Sequence, residues 1–346
     1  MEDLRRILNA DELHLIKILV EDVQLAVRIG NTIGKSFVTN VGTPQGDCIS
    51  PILFTLYLAN ALNPTPRAPP TDHNYAASQK PTTIPRHLAD HNYATYRPYG
   101  VFFDLQYADD TCWVGGNSRH NISSQKEATP QLLLDRNLHI NESKTEEYVI
   151  GRESDDSWKK CKYLGSHLDT DADMARRKQL ALNAHNKLKD VFQNNKLNKI
   201  TKMRIFNAFV ASIYLYNSEL WSMNATREKI IDAAHRRLLR YSLNIRWPTI
   251  MTDEEVYRAT KEKPWSEVIR IRRMRWLGHL LRLPPEAPVR VALDEMVRKV
   301  KRPRGAPRTT WLKTVQVDLA GMNTNLESAC EIAYDRVKWR SMVHDR

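Results

Sequence analysis

The feature that most constrains this chain is the series of helical patterns in its second half. From about residue 171 onward, apolar residues recur at spacings of three and four, with almost no strand signal. The spacings predict helices at Met174–Asn194, Ile200–Leu220, Thr226–Leu243, Asp253–Thr260 and Trp265–Leu283. Basic residues run throughout these segments, so the sequence predicts a basic all-α region.

The first half has a mixed pattern. Residues 3–30 have helical spacing, and residues 36–39 form a short strand candidate. A nearly all-apolar helix is predicted over 50–62, because Ser50 suits the cap and Pro51 the first turn. A helix that is apolar on all sides is expected inside a core.

Residues 63–98 differ from both halves in composition. Seven prolines fall within these 36 residues, and the pentapeptide Asp-His-Asn-Tyr-Ala occurs at 72–76 and again at 90–94. Proline-rich composition favours extended backbone, so this segment is predicted to be an inserted loop.

Strand and helix signals return at residue 100. Residues 101–114 predict two β segments around an acidic turn, residues 122–138 predict a helix, and residues 147–150 and 163–164 resemble strands. The predicted fold class is α+β, with a small antiparallel sheet and helices followed by the basic helical region. The expected domains are 1–170, 171–245 and 246–346.

The charge of the chain is unevenly distributed. Of its 346 residues, 52 are Lys or Arg and 40 are Asp or Glu, a net charge of +12. Residues 1–170 hold 17 basic and 21 acidic residues, a net of −4, whereas residues 171–346 hold 35 and 19, a net of +16. The first half is therefore suited to cations and the second to a polyanion such as nucleic acid, although a solubilising basic surface is the alternative.

Several protein classes are disfavoured by the sequence. The longest apolar stretch, 51–62, is too short to span a bilayer, and the acidic start does not resemble a signal peptide. The four cysteines are far apart and form no metal-binding spacing, which favours reduced thiols in an intracellular protein of the nucleus or cytoplasm.

The main candidate for chemistry is the adjacent pair Asp109 and Asp110 at the tip of the predicted hairpin. Neighbouring carboxylates repel each other, and a divalent cation relieves that repulsion. Mg²⁺ prefers carboxylate oxygens together with substrate phosphates, as phosphoryl-transfer sites require. The alternative is an ordinary solvated turn.

The flanking motifs resemble the palm of reverse transcriptases, and more closely those of non-LTR, LINE-type retrotransposons. The motifs are Leu-Gln-Tyr-Ala-Asp-Asp-Thr at 105–111 and Gly-Thr-Pro-Gln-Gly-Asp-Cys-Ile-Ser-Pro-Ile-Leu-Phe at 42–54. The resemblance implies that Asp109 and Asp110 bind Mg²⁺ or Mn²⁺ and carry catalysis. It also implies that five residues border the template–primer and the incoming nucleotide: Gly42, Pro44, Gln45, Gly46 and Tyr107. Glycine permits close backbone approach to such a ligand, and an amide can hydrogen-bond a base or sugar edge.

Two more segments follow in the order of that family. Residues 138–146 resemble the next palm motif, in which Lys144 would donate a proton to the leaving pyrophosphate; a plain surface lysine is the alternative. Residues 163–168 resemble the primer-grip hairpin that leads into the thumb.

The helical region carries a less specific resemblance, to the C-terminal tail of LINE-type polyproteins, at 272–280 and 302–311. One helix face is expected to pack in the hydrophobic core rather than to stack on nucleic-acid bases. It comprises Trp265, Ile269, Trp276, Leu280 and Leu283. Basic residues outside that face are candidates for nucleic-acid backbone contacts, with a solvated face as the alternative: Arg270, Arg275, Arg282, Lys299, Lys301, Arg302, Arg304 and Arg308.

The resemblance also implies a further metal-binding aspartate on a first palm strand, which we expect upstream of residue 1, together with the fingers subdomain. The sequence therefore predicts an N-terminally truncated RNA-directed DNA polymerase, inactive alone, with an RNA template, a DNA primer and dNTP as partners. A non-catalytic nucleic-acid-binding protein and an inert relic are the alternatives.

Overall fold

The computed structural model describes residues 5, 9–20, 23–39, 50–62, 102–107, 110–115, 129–150, 156–246, 248–297 and 309–344. The chain divides into two compact units, Met1–Glu146 and Glu147–Arg346. No described helix is long and apolar enough to cross a membrane.

The first unit combines short helices with two-stranded antiparallel sheets. In chain order its elements are α1 (Ala10–Val20), β1 (Val23–Leu25), β2 (Arg28–Ile29), β3 (Thr32–Ile33), β4 (Phe37–Thr39), α2 (Ser50–Leu62), β5 (Phe102–Tyr107), β6 (Asp110–Gly115) and α3 (129–134). Strand β1 pairs with β4, β2 with β3, and β5 with β6.

The predicted helix over 3–30 is wrong beyond Val20, because the residues that follow form β1 and β2. A two-residue turn, Gly30–Asn31, joins β2 to β3, with Gly30 at a φ of 60°. Turns of this length favour residues that tolerate positive φ, and they set hairpin pairing. The strand predicted at 36–39 is confirmed as β4, which pairs with β1.

Helix α2 confirms the predicted helix over 50–62. Its residues Leu58 and Ala61 are buried and pack with Leu133 in a small core. Ile52 is 48% exposed, so the expectation of burial on all sides is wrong within the described residues.

The remaining predictions for this part of the chain have mixed outcomes. The two β segments around the acidic turn are confirmed as β5 and β6. Of the helix expected at 122–138, residues 122–128 lie outside the described residues, and α3 ends at residue 134, four residues earlier than predicted, before Asn137 at a φ of 55°. The strand predicted at 147–150 is wrong, since these residues are irregular and pair with no described strand. The loop predicted at 63–98 lies outside the described residues.

The second unit is a hairpin followed by helices. Its strands are β7 (Lys162–Tyr163) and β8 (Ser166–His167). Its helices are α4 (Thr170–Lys187), α5 (Lys189–Gln193), α6 (Lys199–Phe206), α7 (Ser212–Tyr214), α8 (Ala225–Ser242), α9 (Asp253–Thr260), α10 (Trp265–Arg282), α11 (Pro288–Val297), α12 (Trp311–Gly321), α13 (Leu326–Tyr334) and α14 (Arg336–His344).

Helices α8, α9 and α10 confirm the predicted helices to within one residue at each end. The helix predicted at 174–194 begins earlier, because the Asp169 side chain caps α4 by accepting from the amide of Ala172, and it is interrupted at Leu188. The helix predicted at 200–220 breaks into α6, a π-helical turn, α7 and a 3-10 turn. The break coincides with Asn217, whose φ is 55°.

Two hydrophobic cores stabilise this unit, and α10 contributes to both. Its first half buries Trp265 and Ile269, and its second half buries Leu280. Trp276 and Leu283 are partly buried against the second core. The interpretation of this helix face as core is therefore confirmed.

Candidate functional site

The acidic hairpin of the first unit places Asp110 where solvent and a ligand can reach it. Strands β5 and β6 are in register from Phe102 opposite Gly115 to Tyr107 opposite Asp110. The two residues that connect them, Ala108 and Asp109, lie outside the described residues. The side chains of Tyr107 and Asp110 are both exposed.

Cross-strand pairing explains why the chain reverses here. Phe103 lies opposite Val114, and Leu105 lies opposite Cys112. Side chains directly opposite each other across an antiparallel pair, such as Leu105 and Cys112, stabilise it by roughly 0.2–1 kcal/mol per pair. The apolar strands thus fix the position of the acidic tip.

The Asp110 carboxylate at the tip is a donor of the kind that a hard divalent cation binds. The Asp110 carboxylate forms no hydrogen bond or ion pair with any described residue, so its oxygens are available as ligands. Among the described residues, no three Asp, Glu, His or Cys side chains come together as a metal-binding group. Asp109 is outside that set, so its contribution stays a prediction.

Lys144 lies in a 3-10 turn, Glu142–Lys144. The turn is closed by the amide of Lys144, which donates to the carbonyl of Asn141 at 3.0 Å. The segment leading into it is fixed by Leu138 and Ile140, which pack against the core beside α2. The Lys144 side chain is exposed and has no partner among the described residues, so its catalytic role stays a prediction.

Many predicted site residues lie outside the described part of the chain. These are the template and nucleotide contacts Gly42, Pro44, Gln45 and Gly46, and the basic residues Lys299, Lys301, Arg302, Arg304 and Arg308. Their assignments stay predictions.

The hairpin β7–β8, which resembles a primer grip, is anchored by buried contacts to the helices of the second unit. Its turn residues Leu164 and Gly165 have φ values of 46° and 82°. The amide of His167 donates to Oδ1 of Asp173 at 3.0 Å, and Nε1 of Trp221 donates to Oδ2 at 2.9 Å. Because Asp173 is only 1% exposed, this carboxylate is a buried anchor between the hairpin and the helices.

Two arginines of α4 hold the tip of the same hairpin. Arg176 and Arg177 both donate to the carbonyl of Gly165. The guanidinium of Arg177 also lies 4.4 Å from the ring centre of Tyr216, whose hydroxyl donates to the carbonyl of Leu164. Burial lowers the pKa of Arg177, and the charge of Asp173 opposes that shift.

Sequence reasoning missed this anchor. The only local signal is the spacing of four residues between Asp173 and Arg177, which places them on one helix face. Such a spacing is common on solvated helices, so it did not reveal a buried pair.

The three predicted phosphate-binding arginines of α10 have different environments. Arg275 is exposed, and one of its guanidinium nitrogens lies 2.8 Å from Nε2 of His344. Arg282 is half-buried and donates to the carbonyl of Ala333 at 2.9 Å. Arg270 is half-buried, with Nη1 lacking a described hydrogen-bond partner. Arg275 is thus the most accessible of the three.

Comparison with known proteins gives one finding. Residues 6–168 match the family model described as reverse transcriptase (RNA-dependent DNA polymerase). The match includes the four motifs at 42–54, 105–111, 138–146 and 163–168, and it ends just before α4. No curated protein and no solved structure matches the chain.

Proposed function

We propose that this chain is a reverse transcriptase of the non-LTR, LINE-type class, with its polymerase site at the acidic hairpin. The observation that carries the proposal is the β5–β6 hairpin, which presents an exposed Asp110 opposite Tyr107 within the matched residues 6–168. The order of the four motifs supports the same assignment. The LINE-type class rests on the resemblance of the motifs alone.

Asp109 and Asp110 would hold the divalent ion that reverse transcriptases in general use. Bound there, Mg²⁺ or Mn²⁺ neutralises charge on the phosphates during phosphoryl transfer. Tyr107 and the segment from Gly42 to Gly46 would border the template–primer and the dNTP. Lys144 would donate a proton to the leaving pyrophosphate.

A second candidate function is nucleic-acid binding without catalysis. The observation in its favour is the exposed Arg275 in a region whose net charge is +16. Phosphate contacts of this kind give sequence-independent, salt-sensitive binding. The two functions are compatible. They differ in whether activity requires the carboxylates of Asp109 and Asp110.

Primer extension on an RNA template, with Mg²⁺ or Mn²⁺, tests the proposal. The variant Asp109→Asn/Asp110→Asn removes both carboxylates while keeping side-chain size. Asp11→Asn/Asp135→Asn is the matched control, because it neutralises two exposed aspartates of the same unit outside the hairpin.

We expect the double hairpin variant to lose extension by a factor on the order of 10³ or more, as loss of transition-state charge stabilisation does. The control should retain wild-type activity. If wild type and the double hairpin variant extend the primer equally well, the assigned site is refuted. Absence of extension by folded wild type, with salt-sensitive nucleic-acid binding retained, would count against the polymerase proposal and favour the second candidate.

A further inference from the structure

Helices α10 and α14 form an open surface cavity of about 260 Å³ that is lined mainly by basic side chains. Arg275 and Arg282 contribute from α10, and Arg336, Arg340 and His344 contribute from α14. The two remaining lining residues are Trp339 and Val343. Four arginines around one cavity are strongly repulsive unless an anion lies between them.

No acidic side chain lines this cavity among the described residues. Elsewhere in the unit, arginines are neutralised in pairs: Arg273 contacts Asp318 at 2.7 Å, and Arg227 contacts Asp171 at 2.7 Å. None of the described ion pairs includes Arg336 or Arg340. The cavity therefore concentrates positive charge that the described part of the chain does not compensate.

The environment of Arg282 is consistent with this excess charge. Burial lowers the pKa of its guanidinium, and the neighbouring positive charge of Arg336 lowers it further. An anion placed between these groups would oppose both effects.

The two helices that line the cavity pack closely against each other beside it. Trp339 is 3% exposed, and its Nε1 donates to the carbonyl of Met274 at 3.1 Å. A methyl group at Gly278 would lie 2.3 Å from Nε1 of Trp339, so the helices approach as closely as glycine allows. This packing fixes the spacing of the two helix backbones that carry the arginines.

We propose that this cavity binds a backbone phosphate of a nucleic acid. The identity of the polyanion rests on the proposed function. Guanidinium groups match phosphate geometry through paired N–H donors, which makes arginine suited to this ligand.

The surroundings favour a polymer over a free phosphate ion. Arg275 also lines a second recess of about 360 Å³, together with Glu219, Arg272, Trp276 and His279. Basic and aromatic side chains therefore continue beyond the space that one phosphate fills. The negative charge of Glu219 marks the end of this basic surface in the second recess. A chain of phosphates can use Arg275 from both recesses.

Fluorescence anisotropy with a labelled RNA–DNA hybrid tests the proposal in the full chain. The test variant is Arg336→Ala/Arg340→Ala, which changes two exposed residues. The matched control is Lys313→Ala/Lys338→Ala, which removes two positive charges from exposed lysines of the same unit that do not line the cavity. Arg336→Lys/Arg340→Lys keeps the charge and loses the paired donors.

We expect the test variant to weaken hybrid binding by about tenfold to 100-fold, as loss of one or two charge-assisted contacts does. The slope of log affinity against log salt should also decrease by about 1 for each lost phosphate contact. The control should change affinity by less than about threefold, and the lysine variant should lie between. Equal thermal midpoints for all variants would show that the losses of affinity are not caused by unfolding.

The outcomes separate this proposal from the proposed function. Wild type that does not bind the hybrid at all would refute the nucleic-acid partner and the proposed function together. If wild type binds the hybrid and the test variant binds it as tightly as the control variant does, only the cavity proposal is overturned. Titration with inorganic phosphate, followed by NMR of arginine side chains, forms the second arm. Phosphate binding at Arg336 and Arg340 without any change in hybrid affinity would assign the cavity to a free phosphate and overturn the nucleic-acid assignment.

Discussion

Replacing Asp173 with alanine should destabilise the second unit strongly, because this carboxylate is buried and has several partners. It accepts from the amide of His167 and from Nε1 of Trp221, and its Oδ1 lies 3.7 Å from Nε of Arg177. Asp173→Ala leaves two donors and a cation buried without their acceptor. Breaking a buried ion pair on one side costs about 3–5 kcal/mol.

The same helix supplies a matched control. Asp171, two residues away, also pairs with an arginine, Arg227, but its side chain is 67% exposed. Exposed ion pairs contribute about 0–1 kcal/mol. Asp171→Ala should therefore cost several-fold less than Asp173→Ala, although both remove an aspartate from α4.

Urea unfolding of the full chain measures the difference. The transition of the second unit should lose about 3–5 kcal/mol in Asp173→Ala and no more than about 1 kcal/mol in Asp171→Ala. In a unit of this size the first loss lowers the thermal midpoint by roughly 10 °C. Hydrogen exchange should also accelerate at His167, whose amide loses its acceptor. Equal stabilities for the two variants would show that the buried contacts at Asp173 do not contribute as the structure implies.

Three further predictions concern the helical cores. Gly278→Ala should cost about 1–3 kcal/mol, measured by urea unfolding, because the new methyl group overlaps Trp339; an unchanged midpoint would contradict this packing. Asp318→Ala should cost about 3–5 kcal/mol in the same assay, since Arg273 is 1% exposed and would lose its counter-ion; a loss below about 1 kcal/mol would count against it. Burial, and to a smaller extent the charge of Arg236, lowers the pKa of His235 to about 3. The unfolded chain therefore binds a proton that the folded chain does not between about pH 6.5 and 3, so stability falls as the pH decreases through that window. At about pH 5 the loss should be about 2 kcal/mol larger in wild type than in His235→Phe, and equal pH dependence in the two proteins would refute it.

Local patterns in the sequence predicted the elements that one short segment specifies. The acidic hairpin was predictable because apolar residues flank two acids, and α9 was predictable from its helical spacing. The structure adds that Thr252 and Glu255 form a capping box at its start. The helix expected over 3–30 failed beyond Val20, where the chain forms β1 and β2. The Gly30–Asn31 turn joins β2 to β3, and a glycine signal alone does not distinguish a hairpin turn from the end of a helix.

The anchored hairpin and the basic cavity could not be predicted in this way. Trp221 donates to Asp173 across 48 residues of sequence, and Arg275 meets His344 across 69. No spacing rule relates residues so far apart, since tertiary packing alone brings them together. Charge counting predicted a basic region, but not which arginines would be neutralised by aspartates and which would line a cavity.

Binding of Mn²⁺, detected by electron paramagnetic resonance, tests the central claim that the acidic hairpin holds the metal of a polymerase site. The measurement uses the full chain with an RNA template, a chain-terminated DNA primer and a dNTP, so that no turnover occurs. We predict that wild type and Asp11→Asn/Asp135→Asn bind Mn²⁺ alike, and that Asp109→Asn/Asp110→Asn loses this binding. Undiminished Mn²⁺ binding in the hairpin variant would contradict the account.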